Sequence, residues 1–101
     1  MASLAVRFKP KARIHIDEAC SFYASESDGR LVERFLRALD EVLEQIAVFP
    51  ESCPKFHRNT RRVLLNRFPY SVYYRVQNGS VEVLAVLHGM RNPSFLRRQS
   101  Q

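Results

Sequence analysis

His88 and Arg91 have the residue types and spacing that favour acid–base chemistry on a phosphate. An imidazole titrates near neutral pH and can move protons, while a nearby guanidinium can hold a phosphate's charge. Arg61 and Arg62 form a second candidate pair at the start of a predicted strand. Because adjacent strand residues point to opposite faces, at most one of these arginines shares a face with His88. The structural alternative is a local hydrogen bond for His88 and a solvated Arg91.

Lys55, His57 and Arg58 precede this strand in a predicted loop that contains two prolines, over residues 50–60. They are close enough in sequence to extend a phosphate-binding patch, and the alternative is a solvated basic loop. Arg75 has a different interpretation, because its predicted cross-strand neighbour is Glu82 and an ion pair between them would be structural.

The charge is distributed unevenly along the chain. The sequence has 16 basic and 10 acidic residues, for a formal net charge of +6, and thirteen of the basic residues are arginine. Residues 1–54 carry a net charge of −2, whereas residues 55–101 carry +8 with Glu82 as their single acid. Arginine forks suit phosphates and carboxylates, so the second half predicts a nucleic acid or an acidic protein as partner.

Length and composition exclude several classes of protein. The 101 residues predict a single domain over 1–101, and a hydrophobic content of 46% argues against disorder. Cys20 and Cys53 lack metal-ligand spacing, so neither a zinc site nor any other cofactor is predicted. No apolar segment resembles a secretory signal or a membrane span, which predicts a cytoplasmic protein that does not bind membranes.

The periodicity of apolar residues predicts the elements that position these side chains. Alternation at Leu4, Val6 and Phe8 indicates a short strand, and helical spacing follows in two segments. Asn78-Gly79 is a strong type I′ turn signal between the last two strands. The resulting fold is α+β, in the order β-α-α-β-β-β, with a two-helix hairpin on one face of an antiparallel sheet. The predicted elements after the first strand are a helix from Pro10 to about Ser25, a helix from an N-cap at Asp28 to a stop at Pro50, and strands at Arg61 to Leu65, Tyr70 to Gln77 and Ser80 to His88.

The Asn78-Gly79 turn also predicts which side chains share a face. Counting back from it pairs Arg75 with Glu82, and it places an apolar set under the helices. The predicted pairs of that set are Val76 with Val81, Tyr74 with Val83, Val72 with Ala85, and Tyr70 with Leu87. The opposite face, predicted to be open, holds Tyr73 paired with Leu84, Ser71 with Val86, and Pro69 with His88. Tyr73 is therefore the tyrosine predicted to contact a partner, and the other tyrosines of this strand are predicted to pack.

Several segments resemble the RelE/ParE superfamily of toxins from type II toxin–antitoxin modules. The first half agrees with this family in its strand, its helical hairpin with Phe35-Leu36, and its Phe49-Pro50 stop. The resemblance spans nearly the whole chain. The segments that carry it most specifically are Arg67-Phe68-Pro69-Tyr70, Tyr73-Tyr74-Arg75-Val76, Asn78-Gly79, and Val83-Leu84-Ala85-Val86-Leu87-His88-Gly89-Met90-Arg91-Asn92-Pro93.

The resemblance implies a toxin that inhibits growth and is relieved by a cognate acidic antitoxin, and it leaves the target open. ParE-like members inhibit DNA gyrase by binding, whereas RelE-like members are ribosome-dependent mRNA endonucleases. The chain is predicted to be ParE-like, because the loop holds one lysine and Phe95 stands where a catalytic Tyr is expected. In the nuclease alternative, His88 would move protons while Arg61 or Arg62, with Arg91, would stabilise charge. A third alternative is a non-toxic module that binds an antitoxin or nucleic acid. The predicted binding residues are Lys55, Arg58, Arg61, Arg62, Tyr73, Arg91, Phe95, Arg97 and Arg98.

Overall fold

The computed structural model describes residues 3–27 and 29–89 and contains two helices and one five-stranded sheet. The elements are β1 (Ala5–Phe8), α1 (Pro10–Glu26), α2 (Arg30–Val48), β2 (Lys55–His57), β3 (Thr60–Leu64), β4 (Tyr70–Gln77) and β5 (Ser80–His88). The strands lie in the spatial order β1-β5-β4-β3-β2. The predicted α+β class and the predicted element order are confirmed, with one added strand, β2, inside the predicted loop over residues 50–60.

Helix boundaries follow local chemistry. Pro10 occupies the first turn of α1, where its missing N–H costs nothing. Gly29 is the N-cap of α2 and has a left-handed backbone, while Asp28, the predicted cap, lies outside the described residues. At the other end of α2, the Phe49 N–H donates to the Gln45 carbonyl at 2.8 Å and Pro50 follows. The apolar stripe of α2 is buried at Phe35, Ala38, Leu39, Val42 and Ile46.

The edge strand β1 pairs with β5 in the parallel sense, so the prediction of an antiparallel sheet is wrong at this edge. The other strand pairs are antiparallel. Val6 and Phe8 both pack against the core beneath the helices, and the Leu4 N–H donates to the Ala47 carbonyl at the end of α2. These long-range contacts select the pairing of β1, and no local pattern in a four-residue strand encodes them.

A β-bulge changes the register of the central hairpin. Both Asn78 and Gly79 have positive φ, and Arg75 pairs with Glu82 as predicted. Beyond Tyr74 and Val83 the register shifts, because Leu84 is an extra residue on β5 and Tyr73 pairs with Ala85. A bulge places two residues opposite one, so every later residue of β5 changes face.

The predicted faces are consequently wrong beyond the bulge. Val72 pairs with Val86 and Tyr70 pairs with His88, where Ala85 and Leu87 were predicted as partners. Likewise Ser71 pairs with Leu87, where Val86 was predicted, and the predicted pair of Pro69 with His88 does not form. Val86 therefore belongs to the buried cluster beneath the helices, whereas Ala85 clusters with Tyr73 and Leu84 on the opposite face.

The core beneath the helices is organised around four aromatic rings. Phe35 lies 5.6 Å from Phe68 and 5.3 Å from Tyr70, with both pairs close to edge-on. Tyr23 contacts the same group from α1, at 5.3 Å from Phe68. Offset and edge-on aromatic pairs add about 0.5–1.5 kcal/mol each beyond burial, so this cluster holds both helices to β4.

Neither of the two described helices combines the length and the hydrophobicity that a membrane-spanning segment needs.

Candidate partner-binding surface

The β2–β3 hairpin presents a basic surface at one edge of the sheet. Lys55 and Arg58 are exposed, and Arg62 is half-buried beside them. No acidic residue occurs between Glu51 and Glu82, so positive charge in this stretch has little local compensation. We call Lys55, Arg58 and Arg62 the hairpin surface. Because arginine stays charged and forms paired hydrogen bonds, this surface suits carboxylates or phosphates.

Arg62 is held on the sheet face away from the helices. Its guanidinium carbon lies 4.7 Å from the centre of the Phe56 ring, and that ring lies 5.3 Å from the Tyr73 ring. The bulge between Lys55 and His57 accommodates Phe56 as an extra residue of β2. Stacking on an aromatic ring restricts the guanidinium without using its donors, so Arg62 remains suited to an anionic partner.

Tyr73 is not exposed, contrary to the prediction of an open face. Its side chain is 0% exposed and clusters with Leu84, Ala85 and Phe56. The bulge contributes to this burial, because it directs two successive residues of β5 toward Tyr73. Tyr73 therefore supports the Phe56–Arg62 stack from beneath, and its ring is not available for stacking on a base.

Arg61 points away from Arg62 and is engaged within the chain. Its Nη1 donates to the Cys53 carbonyl at 2.6 Å and to the Glu51 carbonyl at 3.3 Å. The Tyr74 hydroxyl donates to the Pro50 carbonyl of the same loop at 2.7 Å, and burial raises the pKa of this phenol. Arg61 and Tyr74 together fasten the loop after α2, so Arg61 is a structural residue among the predicted binding residues.

Arg75 and Glu82 form the predicted ion pair, with Arg75 Nε donating to Glu82 Oε1 at 2.7 Å. Lys9 reaches the same carboxylate, with 3.7 Å between its Nζ and Oε2. Glu82 thus joins β4, β5 and the residue before α1. This confirms that the charge of Arg75 is compensated within the fold.

His88 lies on the helix side of the sheet, because the bulge reverses its predicted face. Its ring meets the Tyr70 ring edge-on at 5.2 Å, in a cleft lined by His15, Glu18 and Phe22. His15 in turn accepts a hydrogen bond at Nδ1 from the Val86 N–H at 3.2 Å. Burial is the main cause that lowers the His15 pKa, and Lys11 adds to it against an opposing effect of Glu18.

The predicted catalytic residues are not brought together among the residues described. Arg61 pairs with Tyr74 and His88 pairs with Tyr70, which separates their Cα atoms by about 16 Å at ordinary strand spacings. Arg62 lies on the opposite face from His88. A general acid or base must come within hydrogen-bond reach of its substrate, so His88 and these arginines cannot act on one phosphate in this arrangement.

Four predicted site residues lie outside the described part of the chain, and they are Arg91, Phe95, Arg97 and Arg98. In the described part, no group of three or more His, Cys, Asp or Glu side chains is arranged to hold a metal ion.

Sequence reasoning missed a second group of arginines. Arg34 and Arg37 on α2 and Arg67 in the β3–β4 turn line one cleft together with Glu41. The spacing of Arg34 and Arg37, one helical turn apart, was a signal for two of these three arginines. No local signal connects them to Arg67, because that proximity depends on how α2 packs against the sheet.

Comparison with known proteins agrees with this fold and with the resemblance seen in the sequence. Residues 6–93 match the family described as "ParE toxin of type II toxin-antitoxin system, parDE". The chain is 31% identical over 82 residues to Toxin ParE2 of Mycobacterium tuberculosis, in strains CDC 1551 and H37Rv, covering 81% of this chain and 78% of that protein.

Solved structures show the same fold at low sequence identity. A chain of the chromosomal ParDE system from P. aeruginosa superposes with a TM-score of 0.75 at 15% identity, covering 87% of this chain and 98% of that one. The isolated E. coli RelE toxin superposes with a TM-score of 0.53 at 17% identity, covering 97% of each chain. The family match over residues 6–93 and the 31% identity to Toxin ParE2 establish that the chain belongs to the ParE family of toxins from type II toxin–antitoxin systems.

Proposed function

We propose that this toxin acts in the cytoplasm by binding DNA gyrase, and that it does not cleave RNA. The observation that carries the proposal is the separation of His88 from Arg61 and Arg62. A nuclease mechanism needs a proton-transfer group and cationic groups around one phosphate. Among the described residues, Arg62 lies on the opposite face of the sheet from His88, and Arg61 lies far from His88 along the strands.

The hairpin surface is the part of the described chain that we propose for the target. It combines exposed Lys55 and Arg58 with Arg62, whose guanidinium is restricted by Phe56. A restricted cation loses less conformational freedom on binding than a free one. Membership of a toxin–antitoxin family implies an antitoxin partner, and we propose that an acidic segment of that antitoxin covers the same surface and blocks access to the target.

The experiment compares variants that separate the two mechanisms. His88→Ala should leave growth arrest intact, whereas Arg62→Glu combined with Arg58→Glu should abolish it while the protein remains folded. The wild-type protein, purified, should inhibit supercoiling by gyrase and accumulate cleaved DNA. Arg13→Glu, an exposed charge reversal on α1, is the matched control and should retain toxicity.

The proposal would be overturned if induction stopped translation before replication, with mRNA cleaved on the ribosome and His88→Ala inactive. That result would assign the chain to the nuclease branch. Absence of any effect on growth would instead support the alternative of a non-toxic binding module.

A further inference from the structure

A cleft separates the outer face of α2 from the turn that joins β3 to β4. It encloses about 590 Å³ and is bordered by both charged and aromatic groups. The side chains that shape it are Arg34, Arg37, Glu41, Asn66, Arg67 and Phe68. We call it the arginine cleft, and it is distinct from the hairpin surface formed by β2 and β3.

The two walls of the arginine cleft are held firmly in place. Phe68 packs its ring against Phe35, at 5.6 Å, and thereby fixes the turn to α2. Within the turn, the Leu65 N–H donates to the Tyr70 carbonyl at 2.9 Å and the Tyr70 N–H donates to the Phe68 carbonyl at 2.8 Å. The backbone positions of the three arginines relative to one another are therefore set before any ligand binds, which lowers the part of the entropic cost that comes from ordering the backbone.

Arg67 occupies an unfavourable backbone conformation. Its φ is +69°, in the left-handed region that residues with a Cβ rarely adopt. Glycine would adopt this conformation without strain, so the backbone conformation by itself does not account for an arginine at this position. Residues in sparsely populated backbone regions occur preferentially at binding sites, which is consistent with a guanidinium held here for a ligand.

The arginine cleft has a surplus of positive charge. Three guanidinium groups face one carboxylate, that of Glu41. Within residues 3–27 and 29–89, no hydrogen bond or ion pair engages the guanidinium of Arg34, Arg37 or Arg67. Guanidinium forks bind carboxylates and phosphates through paired hydrogen bonds, so the lining of this cleft suits an anionic ligand.

The surroundings of the cleft favour a short acidic peptide over a nucleic acid. Glu33, Asp40 and Glu44 are exposed on the neighbouring stripe of α2, and Glu41 borders the cleft itself. Duplex DNA carries about one negative charge per 1.7 Å of its axis, so a duplex crossing α2 would meet these carboxylates. A peptide can place two carboxylates among the arginines and a basic residue beside Glu41.

We propose that the arginine cleft binds a pair of carboxylates on a short acidic segment of a partner protein. Arg34 and Arg37 bind one carboxylate from α2, and Arg67 binds the second from the β3–β4 turn. Glu41 pairs with a basic residue of the same segment and excludes segments that are uniformly acidic. This site does not depend on whether gyrase is the toxin's target.

The test is a titration of a peptide into the full chain, with binding measured by backbone amide NMR and by calorimetry. The probe is a short synthetic peptide, blocked at both ends, with two adjacent glutamates and one lysine, and a peptide with glutamines in place of the glutamates is its control. Only the acidic peptide should shift the signals of residues 34–41 and 66–68. Arg34→Gln and Arg37→Gln should each weaken its binding about tenfold, because each removes a charge-assisted hydrogen bond.

Arg13→Gln is the matched control, since it removes one exposed arginine from the other helix and should leave the affinity unchanged. The proposal fails if Arg34→Gln and Arg37→Gln bind the acidic peptide as the wild type does, or if the shifted signals are those of Lys55, Arg58 and Arg62. It fails equally if a short DNA duplex binds the cleft more tightly than the peptide and loses affinity in the same variants.

Discussion

Arg61 and Arg62 are adjacent and identical in type, yet the structure predicts opposite consequences for their replacement. Arg61 donates to the Cys53 carbonyl at 2.6 Å and fastens the loop after α2. Arg62 stacks on Phe56 and points away from the helices. Arg61→Ala should therefore cost stability, whereas Arg62→Ala should mainly cost partner binding. The pair is its own matched control for the loss of one positive charge.

The expected magnitudes follow from the contacts. A hydrogen bond to a charged donor contributes about 1.5–3 kcal/mol, and the longer bond from Arg61 to the exposed Glu51 carbonyl should add little. About 2 kcal/mol of lost unfolding free energy lowers the Tm of a domain this size by about 8–16 °C. Loss of the Arg62–Phe56 contact should cost about 0.5–1 kcal/mol, and so at most about half as large a shift.

The assay is thermal unfolding of both purified variants followed by circular dichroism, alongside growth arrest in cells. Arg61→Lys, which keeps the charge but loses the fork, should recover only part of the stability. Growth arrest should weaken in Arg62→Ala although its Tm falls by at most about half as much as that of Arg61→Ala. If Arg62→Ala lowers the Tm as far as Arg61→Ala does, then Arg62 also stabilises the fold and the contrast between the two arginines is wrong.

Three further changes test separate parts of the structure. The pKa of His15 is lowered in the folded state from its ordinary 6.5, so the unfolded chain binds more protons and the stability should fall as the pH drops below about 7. His15→Asn keeps an acceptor for the Val86 N–H and should flatten the dependence of Tm on pH. An equally steep profile in this variant would contradict the role of His15. Glu82→Gln should lower the unfolding free energy by about 0.5–1 kcal/mol in chemical denaturation, and the loss should shrink when Arg75 is already replaced by Gln, since the two share one ion pair. Arg67→Gly should raise the Tm by a few degrees, because relief of about 1–2 kcal/mol of strain in the left-handed backbone outweighs the added freedom of the unfolded chain. A lower Tm would show that the Arg67 side chain stabilises the fold.

The sequence by itself determined the features that depend on neighbours along the chain. Helical spacing and Pro10 predicted α1, and the apolar stripe with Pro50 predicted α2. The Asn78-Gly79 turn predicted the hairpin and the Arg75–Glu82 pair next to it. The same local patterns carried the resemblance to the toxin family. Such features are readable because backbone sterics and periodic burial act within a few residues.

Only the tertiary structure decided the features that depend on packing between distant segments. One extra residue at Leu84 moved His88 to the helix side and left Ala85 and Leu87 on the opposite face. Arg61 became a structural residue because the loop after α2 supplies the Cys53 and Glu51 carbonyl groups to its side chain, whereas half-buried Arg62 stacks on Phe56 on the other face of the sheet. The arginine cleft exists because Phe68 packs on Phe35 and brings Arg67 to α2. A bulge shifts the side chains that follow it by one position, and the packing of the core between distant elements selects where the bulge lies. The local sequence pattern therefore cannot encode the position of the bulge.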